Sequence, residues 1–268
     1  MVTVVGVAYR GNIALEDITV DFEVEPVELS NAIGFGVREL VTLKGNISEQ
    51  ERVRLERASR FCPVGQALTK GSMQVADEVR WASGDVAAIS AELESLPQLD
   101  GALPTIPSGS VHAQYLLDTK EYDDAGKMEH EGEAKISVSC ENLTRTSRWT
   151  LQGGHSSDGW VPPPFPLAHG GWAASTASTL SRLLPQVDDH NGLSVELYMA
   201  AGGNRGDSQS NAAEGIVAHR QVSRRIIVPG SPSTTPMEAV QAALQRDPIS
   251  LAYLNGGVLL HDEVVVGS

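Results

Sequence analysis

The chain switches between two hydrophobic periods, and the switches mark its elements. In "IALEDITVDFEVE" apolar and polar residues alternate, the period-two pattern of a half-buried strand. "GFGVRELVTLKGN" predicts a second strand, with Gly45-Asn46 as the turn that ends it. "SEQERVRLERASRF" changes period: Leu55, Ala58 and Cys62 fall at i, i+3 and i+7 and share one helical face. Ser48, with Glu51 three residues later, predicts a capping box at the start of this helix. Pro63 disfavours helical geometry at Cys62, so the helix is expected to break there with the thiol on its apolar side. "SMQVADEVRW" resumes as a strand.

Residues 84–109 have another texture. "AAISAELESL" predicts a short helix, and "LPQLDGALPTIPSGS" is rich enough in Pro, Gly and Ser to be expected as a linker. Beyond it, "SVHAQYLLDTKEY" and "EGEAKISVSCENLTRTSRWTLQGG" predict strands around a polar turn, "EYDDAGKMEHEG". "VPPPFPLAHGGWAASTASTLSRLLPQ" is a proline-led helix whose small residues allow close packing. "NGLSVELYMA" and "GIVAHRQVSRRIIVPG" predict strands on either side of a flexible excursion, "AGGNRGDSQSNAAE". "TPMEAVQAALQRDP" predicts a helix with Thr235 as N-cap and Pro236 at its first position, and "GVLLHDEVVV" closes the chain as a strand. Strands and helices mixed in this way predict an α+β fold.

The chain also repeats itself. "CPVGQALTKGSMQVADEV" from Cys62 and "DPISLAYLNGGVLLHDEV" from Asp247 align without a gap at an offset of 185. Six of the 18 positions are identical, among them Pro63 with Pro248, Gly71 with Gly256 and Asp77 with Asp262. Each stretch follows two strands and a capped helix, so the order strand–strand–helix–Pro–strand occurs twice, which reads as a duplication. The copies are unequal. The second has strands and a small-residue helix in front, whereas the first has only "MVTVVGVAYRGN", which predicts the last turns of an equivalent helix. The missing front half belongs either to a longer product, to copy two, or to another subunit.

"RASRFCPVGQALTKG" and "PPPFPLAHGGWAASTASTL", in this element order, resemble the second-cysteine motif and the proline-led central helix of the osmotically inducible protein C and organic hydroperoxide reductase family (OsmC/Ohr). The resemblance implies antiparallel sheets wrapped around central helices, with two units intertwined; here the duplication would supply a pseudo-dimer within one chain. The expected organisation is an incomplete unit at 1–83, a linker at 84–109 and a complete unit at 110–268. It also implies a chemistry, thiol-dependent reduction of organic hydroperoxides in oxidative-stress defence. One cysteine is attacked by the peroxide, the second resolves the sulfenic acid, and an Arg and a Glu keep the first ionised. Carried onto this chain, Cys62 matches the resolving cysteine and is the candidate catalytic residue. Its counterpart in copy two is Asp247, and the attacking position of copy two falls at Ser175. Phe165 stands where the family has its Glu, and no arginine is assigned to the activating role. Copy two is therefore expected to be inactive as a peroxidase and to lack both family cysteines. The attacking cysteine of copy one is expected outside this chain, upstream or on a partner. Pro63, Arg60, Ser175, His169 and Trp172 are the candidate binding residues around the pocket, which the family has beside its central helix. The alternative is a degenerate, non-catalytic relative that binds a small apolar ligand or serves in assembly. Cys62 would then be a small apolar residue retained from ancestry.

Composition narrows the partners. The formal net charge of −14 sets the surface against phosphate backbones and anionic lipid. Aromatic residues make up 5%, too few for base-stacking platforms. Neither nucleic acid nor membrane is expected as a partner; a peroxide or apolar small molecule is, and a homo-oligomer is compatible with the family. No apolar run reaches the roughly 20 residues of a membrane span, and "MVTVVGVAYRGN" is a short apolar run lacking a basic leader, so a secretory signal is not expected. The two cysteines, Cys62 and Cys140, lie far apart and suggest no disulfide framework, so a cytoplasmic setting is expected. Cysteines and histidines do not cluster at zinc-ligand spacing, and neither a metal nor a cofactor is expected. In "LQGGHSSDGWVPPPFPLAHGGW" the residues His155, Ser156 and Asp158 lack nucleophile-elbow spacing, which argues against a hydrolase.

Overall fold

The computed structural model describes residues 1–30, 32–71, 73–89, 97–104, 108–117, 132–141, 146–155, 164–184, 192–199, 221–256 and 258–267. Among them are six helices and ten strands in two mixed sheets, an α+β architecture. The first half runs α1 (Val2–Arg10), β1 (Ala14–Glu28), β2 (Ile33–Asn46), α2 (Glu49–Arg60), α3 (Pro63–Lys70) and β3 (Gln74–Trp81). The middle supplies β4 (Val86–Ala88), β5 (Gly109–Leu117), β6 (Gly132–Glu141) and β7 (Thr146–His155). The second half runs α4 (Pro164–Leu183), β8 (Ser194–Met199), β9 (Gln221–Val228), α5 (Met237–Leu244), α6 (Pro248–Asn255) and β10 (Leu259–Gly267).

The order helix–strand–strand–helix–helix–strand thus occurs twice. The last strand of each half leaves its own half and pairs in parallel with the other: β10 lies on β2, and β3 lies on β9. The two ladders share one register. Leu259 faces Gly36 and Gln74 faces Gln221, and each pair maps onto the other at the offset of 185. The earlier elements match at 175: Val4, Val5 and Ala8 are buried on α1 as Thr179, Leu180 and Leu183 are on α4. The ten-residue difference is absorbed by the longer connection between β8 and β9. The exchange makes each core joint property. Val264 of β10 packs with Leu43, Leu55 and Val5, while Val79 and Trp81 of β3 pack with Leu180, Ile226 and Val240. Each fully buried aliphatic side chain contributes roughly 1.5–3 kcal/mol, so neither half keeps its core without the other's strand.

Several expectations change. The capping box is present, with Ser48 N–H donating to Glu51 Oε2 at 2.8 Å. However, α2 ends at Arg60, and between the expected break and the next strand a separate helix, α3, begins at Pro63; α6 begins in the same way at Pro248. The reason is that proline at the first helical position needs no N–H partner and starts a helix as readily as it stops one. Gly45 and Asn46 are no turn; they still pair with Leu15 and Ala14, beside a register shift. Helix α5 starts one residue later than expected, with Pro236 as N-cap, and the Thr235 hydroxyl has no partner among the described residues. The stretch expected as a linker forms β4 against β3, Leu99 packs on the second core, and Arg246 Nη2 donates to Pro97 O at 3.1 Å. The strands β5–β7 precede α4 in sequence but extend the sheet of the first half from β1. Of the expected short helix, residues 90–96 lie outside the described residues, as do the expected turn at 121–131 and the excursion at 201–214. Among the described residues no helix is long and apolar enough to cross a membrane.

The halves meet where α3 and α6 end. Gly71 has φ 63° and ψ −168°, and Gly256 has φ 72° and ψ −158°, a region open essentially to glycine alone. A Cβ on Gly71 would lie 2.4 Å from Gly256 N, and one on Gly256 would lie 2.7 Å from Thr69 O. Gly71→Ala or Gly256→Ala is therefore expected to cost about 3 kcal/mol or more, measured by denaturant unfolding. Gly65→Ala, in the interior of α3 with only Cys62 Cβ at 3.7 Å, is expected to gain up to about 1 kcal/mol.

Candidate functional site

Cys62 is half-buried and caps α3 rather than ending α2. Pro63 forces it into an extended conformation (φ −57°, ψ 119°), and its carbonyl accepts the Gln66 N–H at 2.8 Å. This turn aims the cysteine at a cavity of about 480 Å³ between α3 and the first sheet. The cavity floor is apolar, with Phe22, Val24, Phe35, Val37 and Leu260 from the sheet and Leu68 from α3. Its polar edge holds Glu39, Asp262 and Arg60. Arg60 is committed elsewhere: Nε donates to Asp262 Oδ2 at 2.8 Å and Nη2 to Glu56 Oε1 at 2.9 Å. Its carbonyl accepts from the Gln66 side chain. Burial pushes the Glu39 carboxyl up; the α-amine of Met1 works against this and Asp262 adds to it. Of the sequence candidates, Cys62 and Arg60 line this cavity, and Pro63 builds the turn behind it.

Ser175, His169 and Trp172 belong to a second cluster, on α4. There Asp247 is fully buried as the N-cap of α6. Its carboxylate accepts from Ser175 Oγ at 2.5 Å, Thr176 Oγ1 at 2.7 Å, Ser250 Oγ at 2.6 Å and Ile249 N at 3.2 Å. Beside it, Arg224, 2% exposed, donates to both oxygens of Asp77 at 2.6 and 2.9 Å, and to Ser250 and Thr176. Trp172 Nε1 donates to Ser250 Oγ at 2.7 Å, and its ring stacks 4.7 Å from Tyr253 with the Arg224 guanidinium 5.5 Å from its centre. His169 is buried against both rings at 6.2 Å. Burial pushes the Tyr253 phenol up to about 12, and Cys62 adds to it; Leu68, on the cavity floor, also packs against the cluster of Trp172 and Tyr253, so the two sites adjoin. A carboxylate holding four donors beside a paired guanidinium has its charge spent on structure. Ser175 is a hydrogen-bond donor here, to a carboxylate that Thr176, Ser250 and the Ile249 N–H also share.

The two sites are counterparts. At the offset of 185, Cys62, Gly65 and Leu68 stand where Asp247, Ser250 and Tyr253 do. Glu39 stands where Arg224 does, and Asp262 where Asp77 does; each pair is directly opposed across its parallel ladder. A smaller cavity of about 280 Å³, lined by Val75, Asp77 and Arg224, answers to the larger one, lined by Leu260, Asp262 and Glu39. Sequence reasoning missed Glu39, Arg224 and the role of the two aspartates. Asp77 and Asp262 were visible in the repeated "DEV", but Glu39 and Arg224 are unlike residues that only the strand register relates. Cys140 lies on β6 opposite Ser147, and Ser156 and Asp158 are outside the described residues. Among the described residues no group of three or more His, Cys, Asp or Glu is placed to hold a metal. No family model, curated protein or solved structure matches the chain.

Two measurements test these clusters. Arg224→Met strands the Asp77 charge in the interior and is expected to cost about 3–5 kcal/mol in denaturant unfolding, much of it recovered in Arg224→Met with Asp77→Leu. Glu39 holds its proton more tightly folded than unfolded, so its contribution is full below the ordinary glutamate range and is lost as pH rises through the raised folded value. Glu39→Gln is therefore expected to raise the melting temperature at neutral pH, with the gain vanishing as the pH is lowered.

Proposed function

We propose that this chain is an OsmC/Ohr-like protein, one incomplete and one complete unit packed as a pseudo-dimer, whose working site is the Cys62 cavity and whose task there is to bind a small apolar molecule. The observation that carries the reading is the cavity itself: about 480 Å³ with an apolar floor and few polar groups, within the range of small-molecule sites. The family likeness is supported by the repeated element order and the reciprocal strand exchange in one register. It is further supported by the contact between Ser175 and Asp247, the two positions at which the resemblance puts the family's cysteines. Copy two acts as scaffold, since its counterpart cavity is smaller and its Asp247, Ser250 and Arg224 are held in hydrogen bonds.

A thiol-dependent peroxidase is the second reading, favoured by Cys62 on the cavity wall. The thiol would take one oxygen from a hydroperoxide, giving a sulfenic acid and the alcohol; an external thiol would then give a mixed disulfide and water. Against it, the cavity lining holds no second thiol among the described residues to resolve the sulfenic acid. The test is binding of an apolar fluorescent probe to the native chain and to Leu68→Tyr, which installs the residue of the other half. The probe is expected to bind the native chain at one site and to be lost with Leu68→Tyr. Cumene hydroperoxide with dithiothreitol is expected to be consumed equally by native protein and Cys62→Ser. Failure of the native chain to bind the probe removes the ligand reading; consumption that depends on Cys62 replaces it with the peroxidase.

A further inference from the structure

The two cavities share a frame and differ in charge at two lining positions, Glu39 against Arg224 and Arg60 against Gln245. In the second half, Asp77 and Arg224 face each other across the ladder and form an ion pair with side chains 11% and 1% exposed. In the first half the same ladder position holds Asp262 and Glu39, two carboxylates directly opposed, an arrangement that is destabilising in a sheet. Arg60 relieves only Asp262, through one oxygen at 2.8 Å. No hydrogen bond or ion pair within 4.0 Å reaches the Glu39 carboxylate among the described residues, and the Met1 α-amine acts on it only from beyond that distance. Glu39 nevertheless lines the cavity, at the edge of its apolar floor.

The space has a counterpart too. In the second half it is smaller, about 280 Å³, and next to its Arg224 wall the Trp172 indole is bonded to Ser250 and stacked on Tyr253. In the first half Gly65 and Leu68 replace Ser250 and Tyr253, and the cavity is open.

We infer that the Cys62 cavity selects a small cationic amphiphile, an apolar body of about one ring or short chain carrying an ammonium group, with the body on Phe22, Phe35 and Leu68 and the ammonium at Glu39. This rests on the reading of the cavity as a ligand site and adds the class of ligand. The ammonium supplies the positive charge that Arg224 provides in the other half, and the formal net charge of −14 draws cations toward the chain. An anionic ligand meets two carboxylates at the same edge and is rejected.

The test is calorimetric binding of three probes with one ring and one linker to the full chain: 3-phenylpropylamine, 3-phenylpropanol and 3-phenylpropionate. The amine is expected to bind about tenfold tighter than the alcohol, and the carboxylate weakest. Glu39→Gln is expected to remove the preference for the amine while leaving the alcohol unchanged, and Glu39→Asp, which keeps the charge, to retain it. Equal binding of amine and alcohol, or an amine preference that survives Glu39→Gln, overturns the charge selection alone. If none of the three binds, the cavity is no ligand site and both conclusions fall.

Discussion

Everything in this molecule hangs on the place where two backbones touch at Gly71 and Gly256. Each residue abuts the other's peptide, and each turns the chain out of its short helix, α3 or α6, into the strand that follows. A side chain at either position would hold α3 and α6 apart. Because they come so close, β3 and β10 are sent past one another into opposite sheets. The charged pairs then form across the halves, Asp77 with Arg224 and Asp262 with Glu39. No site in the protein belongs to one half alone.

On this shared frame the two halves differ in opposite senses. The second has a buried carboxylate, Asp247, at its helix start, surrounded by hydroxyls, a guanidinium and two stacked rings. Such a network is secure only when every member is satisfied, and this one is satisfied at the cost of leaving nothing reactive. The first half has a thiol there, smaller side chains at Gly65 and Leu68, and a larger open cavity. Rigidity in one half and openness in the other are complementary uses of one geometry.

The local signals were legible in the sequence. The Ser48–Glu51 box lies within one turn, and period-two alternation located β1 and β2. The repeat was legible because Pro63, Gly71 and Asp77 each perform a backbone or charge task that Pro248, Gly256 and Asp262 perform again. Helices α3 and α6 were not, since eight residues begun by a proline offer two turns and hardly a period to read. The candidate site was half legible. Cys62 and Ser175 could be placed by likeness, but whether Arg60 faces the thiol or a carboxylate is decided by Asp262, 202 positions away. Glu39 and Arg224 stood out in no window, because their importance arises only when strands from different halves lie side by side.

The exchange of final strands also has a kinetic side. β2 cannot acquire its outer neighbour until a strand more than 200 positions later has been made and delivered, and closing so long a loop must precede any reward from the contacts. Until then β2 offers an open edge, whose Leu40 is exposed even in the finished fold. Such non-local pairing slows folding, and the edge stays exposed to wrong partners for as long as the pairing is delayed.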